Sequence, residues 1–478
     1  MKNLVNILSK ILTVILVTLL TIIYFFFLKN DFIISCLFSV LSIIIVFIVY
    51  KLNKKSSIIN KILENKMIII SFILVAILLR FSLLMFDYNE VYSDEATFYY
   101  NAVSLASNLE INSKYIAVFP YLFGYINILS IFMKIFGTTI YHAITFNIII
   151  DLIGAVFAYL FGKKIFNDKK KGILFLLIWL FNPFNIIWCM KILPINIVNT
   201  MIIISAYVFE CLLSSFNNKR YLIISIVLGI IIGISNSFRP IMIIFLIAIF
   251  LYYLYLIIFS KYNLKKLLLS FIMISLCYGV YNNLNYKLVE DATGYTPSKS
   301  GSGWSVYVGS NINSNGEWFL EPKLDEFFVK DEDFSPSEIH EYFMEEGIKN
   351  YKSYNLITVS KFMIKKLEVL TNDVYSYTYE NFTSSVINQS KKYNTVLKSY
   401  LYCFWFLMFI INIFSIFNIT DKDENSRLVF YRLFFIGLVV SHLLVEVSPR
   451  YFMPMLVPLM ILMGFQIEKL MKKENVND

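Results

Sequence analysis

Met67-Ile-Ile-Ile-Ser-Phe-Ile-Leu-Val-Ala-Ile-Leu-Leu-Arg80-Phe-Ser-Leu-Leu-Met-Phe86, followed directly by Asp87-Tyr-Asn-Glu90-Val-Tyr92-Ser-Asp94-Glu95-Ala96-Thr-Phe-Tyr99-Tyr100-Asn101, decides how this chain is read. At ~1.5 Å per residue, the run 67–86 is long enough to cross a hydrocarbon core of about 30 Å as a helix. It ends in a polar segment holding adjacent carboxylates, Asp94 and Glu95. A carboxylate held at a membrane surface can take a proton from an attacking hydroxyl, or hold a metal ion. The simpler reading is a pair of acids that cap and solvate the start of a surface helix.

The rest of the chain extends the membrane pattern. Of 478 residues, 58% are hydrophobic and 16% charged, whereas soluble domains are about a quarter charged. The expected fold is an all-α polytopic membrane protein of about twelve spans: 7–28, 32–50, 67–86, 141–161, 172–189, 193–214, 221–237, 240–259, 265–282, 397–418, 428–446 and 451–467. The net charge of +9 comes from lysines clustered in short loops, which marks the cytoplasmic side of a bilayer and gives no reason to invoke nucleic acid. Five cysteines, Cys36, Cys189, Cys211, Cys277 and Cys403, lie in or near apolar runs and form no CxxC pair, so neither a disulfide framework nor a zinc site is expected.

Charge also orders the spans. The 51–66 loop carries five lysines and one glutamate, while 87–119 carries five acids and one lysine; the first belongs inside and the second outside. Lys163, Lys164, Lys169, Lys170 and Lys171 must then lie inside, which requires that the apolar run 119–136 not span. That run holds Pro120 and Gly124 near its start and stops at Gly137. It reads as a helix on the outer leaflet. Four regions follow: a two-span N-terminal addition with its basic loop (1–66), a membrane core with the first outer loop 87–140 (67–282), an extracytoplasmic loop segment (283–396), and three C-terminal spans (397–478). In the loop segment, Ser335-Pro336-Ser337-Glu338 has the spacing of a capping box with proline at the first helical position. The stretch 357–370 is amphipathic.

This topology brings several polar groups to one face. Tyr92, Tyr99 and Tyr100 flank Asp94 and Glu95. Arg80 lies about two turns below the outer end of its span, where an arginine is either paired with an acid or functional. Lys191, Arg239 and Arg450 sit at outer turns; each suits interfacial anchoring or phosphate binding, arginine as a bidentate fork and lysine as a point charge. Asp151 is costly in mid-membrane, and a hydrogen bond to a neighbouring span is its expected role. His442 and Glu446 are four apart on one helix face, a minimal pair of metal ligands that leaves a divalent cation open as a cofactor.

These residues carry a resemblance. Ser93-Asp94-Glu95-Ala96 after a span, Phe119-Pro120-Tyr121 through Phe136-Gly137, Asn182-Pro183, Phe238-Arg239-Pro240, and Arg450-Tyr451 with Pro454 resemble the GT-C superfamily of membrane glycosyltransferases. The nearest patterns are protein O-mannosyltransferase-like and aminoarabinose-transferase-like enzymes. Gly303-Trp304 through Gly309 and Asn311, with Gly316 and Trp318, is similar to a loop common in low-GC Gram-positive members. Together the matching pieces extend over 67–467. The resemblance implies a GT-C-like fold and a polyprenyl-phosphate-linked sugar donor in the bilayer, with inverting transfer to a cell-envelope acceptor at the extracytoplasmic face. It implies Asp94 as catalytic base with Glu95 beside it. Arg80, Lys191, Arg239 and Arg450 are then expected to hold the donor phosphate, and Tyr92, Tyr99, Tyr100, Trp304 and Tyr451 to line the substrate site. A transporter or flippase of a lipid-linked saccharide is the alternative, and would favour internal repeats and mid-membrane ionic sites. A non-catalytic partner in envelope assembly would tolerate the loss of Asp94.

Overall fold

The computed structural model describes residues 2–27, 40, 44, 58–88, 90–111, 113–260, 262–299, 301–329, 334–372, 378, 391–413 and 426–471. Among them the chain forms twenty α-helices and no strand. Among the described residues, seven helical segments are long and apolar enough to span: α1 (Lys2–Phe27), α3 (Lys66–Phe81, extended by a 3-10 turn to Met85), α7 (Ile140–Phe166), α10 (Ile195–Ser215), α12 (Met242–Phe259), α13 (Leu264–Thr293), and Pro449–Lys469, which takes in most of α20 (Met453–Met471). Three more expected spans fall on shorter apolar stretches, α11 (Arg220–Asn236), Ser399–Ile413 of α18 (Lys391–Ile413) and α19 (Leu428–Leu444). The expected span 32–50 lies almost wholly outside the described residues.

The expected span 172–189 is not one helix. It is α8 (Lys169–Leu180) and α9 (Pro183–Trp188), broken at Phe181 and Asn182. Pro183 has no N–H to continue the ladder, and Asn182 before it takes an extended conformation (φ −74°, ψ 109°), as a residue preceding proline tends to. The Asn182 side chain accepts from the Phe184 N–H at 3.1 Å and caps α9. The carbonyls freed at the break find side chains from elsewhere. Arg80 donates to Leu180 O at 2.9 Å, and the Tyr400 hydroxyl donates to Phe181 O.

The run 119–136 forms a 3-10 turn (Pro120–Leu122) and α6 (Phe123–Phe136). Fourteen helical residues reach about 21 Å, short of a ~30 Å hydrocarbon core. This helix packs along α4 (Asp94–Ala106) and buries Phe123, Tyr125, Ile126, Leu129 and Met133.

The C-terminal helix α20 runs through the middle of the bundle, with contacts to α8, α10, α18 and α19. N-terminal α1 packs on α18 and α19 and on α17 (Leu356–Asn372). At one end of the bundle, Lys170 pairs with Glu64 of α2 (Ile58–Glu64) at 2.5 Å, and Lys171 with Glu468 at 3.7 Å. The opposite end carries α4, α5 (Lys114–Val118), α6 and the loop segment, since the 27 residues of α7 separate the two ends by about 40 Å.

Helix α13 continues past 282 to Thr293. Beyond it lie α14 (Gly303–Ser310), α15 (Pro322–Val329), α16 (Pro336–Ser353) and α17. The capping box forms: Glu338 N–H donates to Ser335 Oγ at 3.3 Å, and Ser335 N–H to Glu338 Oε2 at 2.8 Å. Val118 and Phe119 join Trp304, Val308, Ile339 and Phe343 in one small apolar core, so the loop segment borrows part of its core from the first loop.

Candidate active site

Asp94 and Glu95 open α4, where the unpaired N–H groups and the helix dipole favour carboxylates. The residue before them is strained: Ser93 sits at φ 56°, ψ −135°, which a side chain with a Cβ adopts only when its surroundings hold it there.

The two carboxylates point to different partners. Glu95 Oε1 lies 2.6 Å from Lys191 Nζ, and its Oε2 accepts from the Ile192 N–H at 3.1 Å. Lys191 is buried. Its turn is fixed in depth by Asn147, which donates to Cys189 O and Lys191 O (3.1 and 2.7 Å) and accepts from the Tyr125 hydroxyl at 2.9 Å. Glu95 is therefore occupied on both oxygens. Asp94 Oδ2 accepts from Arg450 Nη1 at 2.5 Å, with side-chain exposures of 42% and 24%. This pair faces water and can open.

Arg450 stands in the 3-10 turn Pro449–Phe452, beside Tyr451. The Arg239 guanidinium lies 4.0 Å from the centroid of the Tyr451 ring, and that of Arg450 5.5 Å. The Tyr451 hydroxyl donates to Glu446 Oε1 at 2.8 Å. Burial pushes the Glu446 carboxyl up. Burial also pulls the Arg239 guanidinium down, with the Arg450 charge adding to that effect. Two guanidinium groups on one ring, in a partly desolvated place, are set to gain from an anion.

Tyr115 and Tyr121 border the same cluster, a placement that no local sequence pattern marks for Tyr115. Burial raises the Tyr115 phenol, and the negative charges of Asp94 and Glu446 raise it further. Tyr121 lies within the field of Arg239 and Glu446. Its place in Phe119-Pro120-Tyr121 was the one available signal. Gly124, at the start of α6, donates to Ser237 O at 3.2 Å. A Cβ at Gly124 would lie 2.4 Å from that oxygen, so only glycine lets α6 press against the turn that carries Arg239.

On the other side of Glu95, a shallow cleft is lined by Tyr88, Glu90, Tyr92, Glu95, Met190 and Ile192. Tyr99 donates to Thr138 O at 2.7 Å and stands edge-on to the exposed Tyr100.

Three expected site residues are placed elsewhere or otherwise engaged. Arg80 is fully buried and joins the break between α8 and α9: Nε donates to Asp151 Oδ2 at 2.7 Å, and Nη1 to Ala76 O and Leu180 O. Trp179 Nε1 donates to Asp151 Oδ1 at 3.0 Å. This is the paired arginine of the simpler reading, and Asp151 takes its expected part between spans. Trp304 is buried in the loop core, edge-on to Phe343 at 4.8 Å. His442 is buried, and its Nδ1 is bonded to Leu438 O at 2.7 Å. Among the described residues, no three or more His, Cys, Asp or Glu side chains gather to hold a metal ion.

Residues 119–280 match the family model of dolichyl-phosphate-mannose-protein mannosyltransferases. This is a membrane glycosyltransferase family of GT-C type. The match covers about a third of the chain and includes Lys191 and Arg239, while Asp94, Glu95 and Arg450 lie outside it. It supports a multi-pass membrane glycosyltransferase that draws on a polyprenyl-phosphate-sugar donor. No curated protein and no solved structure matches the chain.

Proposed function

We propose that this protein transfers a sugar from a polyprenyl-phosphate carrier to an acceptor hydroxyl of the cell envelope, at the extracytoplasmic face and with inversion at the anomeric carbon. The observation that carries the reading is Asp94 joined to Arg450, with Arg239 and Tyr451 beside them, at the end of the bundle away from the lysine-rich loops. Lys163, Lys164 and Lys169–Lys171 favour the cytoplasm, which puts the Asp94 end outside.

The chemistry follows from the partners. A donor phosphate entering between Arg450 and Arg239 takes the Arg450 fork, and Asp94 is left with a free oxygen facing water. Asp94 then accepts the proton of the acceptor hydroxyl. The acceptor oxygen attacks C1 as the C1–O bond to phosphate breaks. The lipid phosphate leaves with its charge met by the guanidinium groups, so the leaving oxygen needs no general acid. Glu95, held by Lys191 and Ile192, fixes the start of α4 and so the position of Asp94. In this arrangement Lys191 serves Glu95, and Arg239 and Arg450 serve the phosphate.

A transporter would use mid-membrane charge. Arg80 and Asp151 are such a pair, but both are bonded into the α8–α9 joint. The test is direct. Purified protein in nanodiscs, given a polyprenyl-phosphate-linked sugar and an envelope acceptor fraction, is expected to release polyprenyl phosphate as the acceptor gains the sugar. Movement of intact lipid-linked saccharide across a proteoliposome membrane, without that release, would favour the transporter. Mass spectrometry of envelope polymers with and without the protein then identifies the product.

A further inference from the structure

The amphipathic helix α17 carries a lysine on its buried side. Phe362, Lys366, Leu367 and Leu370 are buried, whereas Leu356, Ile357 and Ile364 are exposed. Lys366 has no exposed surface, and its ammonium donates to three backbone carbonyls: Gly309 O at 2.8 Å, Leu443 O at 2.8 Å and Val445 O at 2.7 Å. Gly309 belongs to the loop segment, and Leu443 and Val445 to the C-terminal end of α19. Helix C-termini present unpaired carbonyls and the negative end of the dipole, so a cation there is well placed. The Tyr351 hydroxyl of α16 donates to the same Gly309 O at 2.7 Å and to Leu444 O at 3.1 Å.

The chain after α19 is gripped from the other side as well. Glu446 N–H donates to Ser305 O at 2.7 Å, and Val447 N–H to Gly316 O at 2.9 Å. The approach is so close that a Cβ at Gly309 would lie 2.3 Å from the Val445 carbonyl carbon, and one at Gly316 would lie 2.9 Å from Lys366 Cε. Gly316 also holds φ +79°. This accounts for Gly309 and Gly316: they let loop backbone, lysine stem and the 445–447 segment share one small volume. That segment then supplies Glu446, which bonds Tyr451, and leads directly into Arg450, which bonds Asp94.

We infer that Lys366 is a positioning residue: by clamping 443–447 between α17 and the loop segment, it sets the placement of Arg450 and Tyr451 against Asp94 and Arg239. A buried ammonium costs stability, and burial here pulls the Lys366 pKa down to about 7, with the Glu446 charge opposing. Methionine would fill the same space but leave the Leu443 and Val445 carbonyls without this donor. The lysine puts its ammonium where carbonyls of the loop segment and of the end of α19 meet. Displacing reacting groups by about 1 Å can cost up to ~100-fold in rate, so a clamp on Val445, close in sequence to Arg450, has leverage on catalysis.

The catalytic half of this inference rests on the transferase reading, and the experiment separates the two. Full-length Lys366→Met, Lys366→Arg and Tyr351→Phe are compared with wild type in nanodiscs, by hydrogen exchange and by sugar transfer. Lys366→Met is expected to speed exchange at 443–451 and 303–316 and to lower kcat by about 10–100-fold, with a smaller effect on the donor KM. Its unfolding midpoint should fall, because the Leu443 and Val445 carbonyls lose this donor. Lys366→Arg, which keeps the donors, restores part of kcat. Tyr351→Phe changes both readouts in the same direction by less, and serves if the methionine variant does not fold. Wild-type exchange at 443–451 in Lys366→Met would overturn the clamp whatever the activity. Faster exchange with unchanged kcat would overturn its link to the site. A wild-type protein that transfers no sugar would overturn the transferase reading, while the exchange data still judge the clamp.

Discussion

Arg450→Ala separates binding from folding in this site. The Arg450–Asp94 pair is short, 2.5 Å, but its side chains are 24% and 42% exposed. Pairs this wet contribute roughly 0–1 kcal/mol to stability. The nearby ring adds little more, since the guanidinium is 5.5 Å from the Tyr451 centroid. Unfolding of Arg450→Ala should therefore stay within about 1 kcal/mol of wild type. Donor binding is a different matter. A hydrogen bond to a charged group is worth ~1.5–3 kcal/mol, or about 10–150-fold in Kd at ~1.4 kcal/mol per tenfold. The assay is titration of a polyprenyl-phosphate-sugar into nanodisc-embedded protein, with thermal unfolding run in parallel. Arg239→Ala is expected to weaken binding comparably, and the two together by more than either. Donor binding unchanged in both single variants would refute the assignment of these guanidinium groups to the phosphate.

The remaining expectations concern the scaffold. Arg80→Ala leaves Asp151 and Leu180 O buried without their partner and should cost ~3–5 kcal/mol, whereas Arg80→Met with Asp151→Leu should recover much of that loss, both read by thermal unfolding. Gly124→Ala forces α6 away from Ser237 O and moves Arg239; donor KM should rise, and faster hydrogen exchange at 236–241 reports the displacement. His340 accepts from Trp304 N–H through Nδ1 and bonds Val118 O through Nε2, and burial lowers its pKa from 6.5. The unfolded chain then binds the proton more readily than the folded one, so loop-segment stability is full above pH ~6.5 and falls as the pH drops below it. Hydrogen exchange of 303–310 at pH 7.5 and 5.5 measures this, and His340→Gln should flatten the difference.

Some of this was legible in the sequence because it depends on local pattern. The capping box at Ser335 and the turn at Asn182-Pro183 are written in short spacings. The lysine-rich loops do gather at the end of the bundle away from Asp94. Pairing over long separations was not legible. Arg80 and Asp151 each stood out as costly in mid-membrane, yet nothing local told that they meet 71 residues apart, or that a broken helix supplies their third partner. Trp304 is expected to line the substrate site only through the resemblance, and tryptophan serves both cores and binding sites; here it packs in the loop core. Lys366 was readable in principle. It falls four residues after Phe362 and four before Leu370, on the apolar side of an amphipathic helix, where a lysine signals a buried partner. Glu210, bonded to Arg427 and Tyr431, is another buried charge with partners, hidden inside an apolar run.

The central claim is that Asp94 accepts the acceptor's proton, and Asp94→Asn tests it most directly. The substitution keeps size and a hydrogen-bond acceptor but removes the basic oxygen. With purified, folded protein in nanodiscs and saturating donor, sugar transfer should fall by about 100- to 10,000-fold, while donor Kd stays close to wild type. Glu95→Gln, which weakens a support and leaves the base, should be milder. Full transfer by folded Asp94→Asn would contradict the account and remove Asp94 from the reaction.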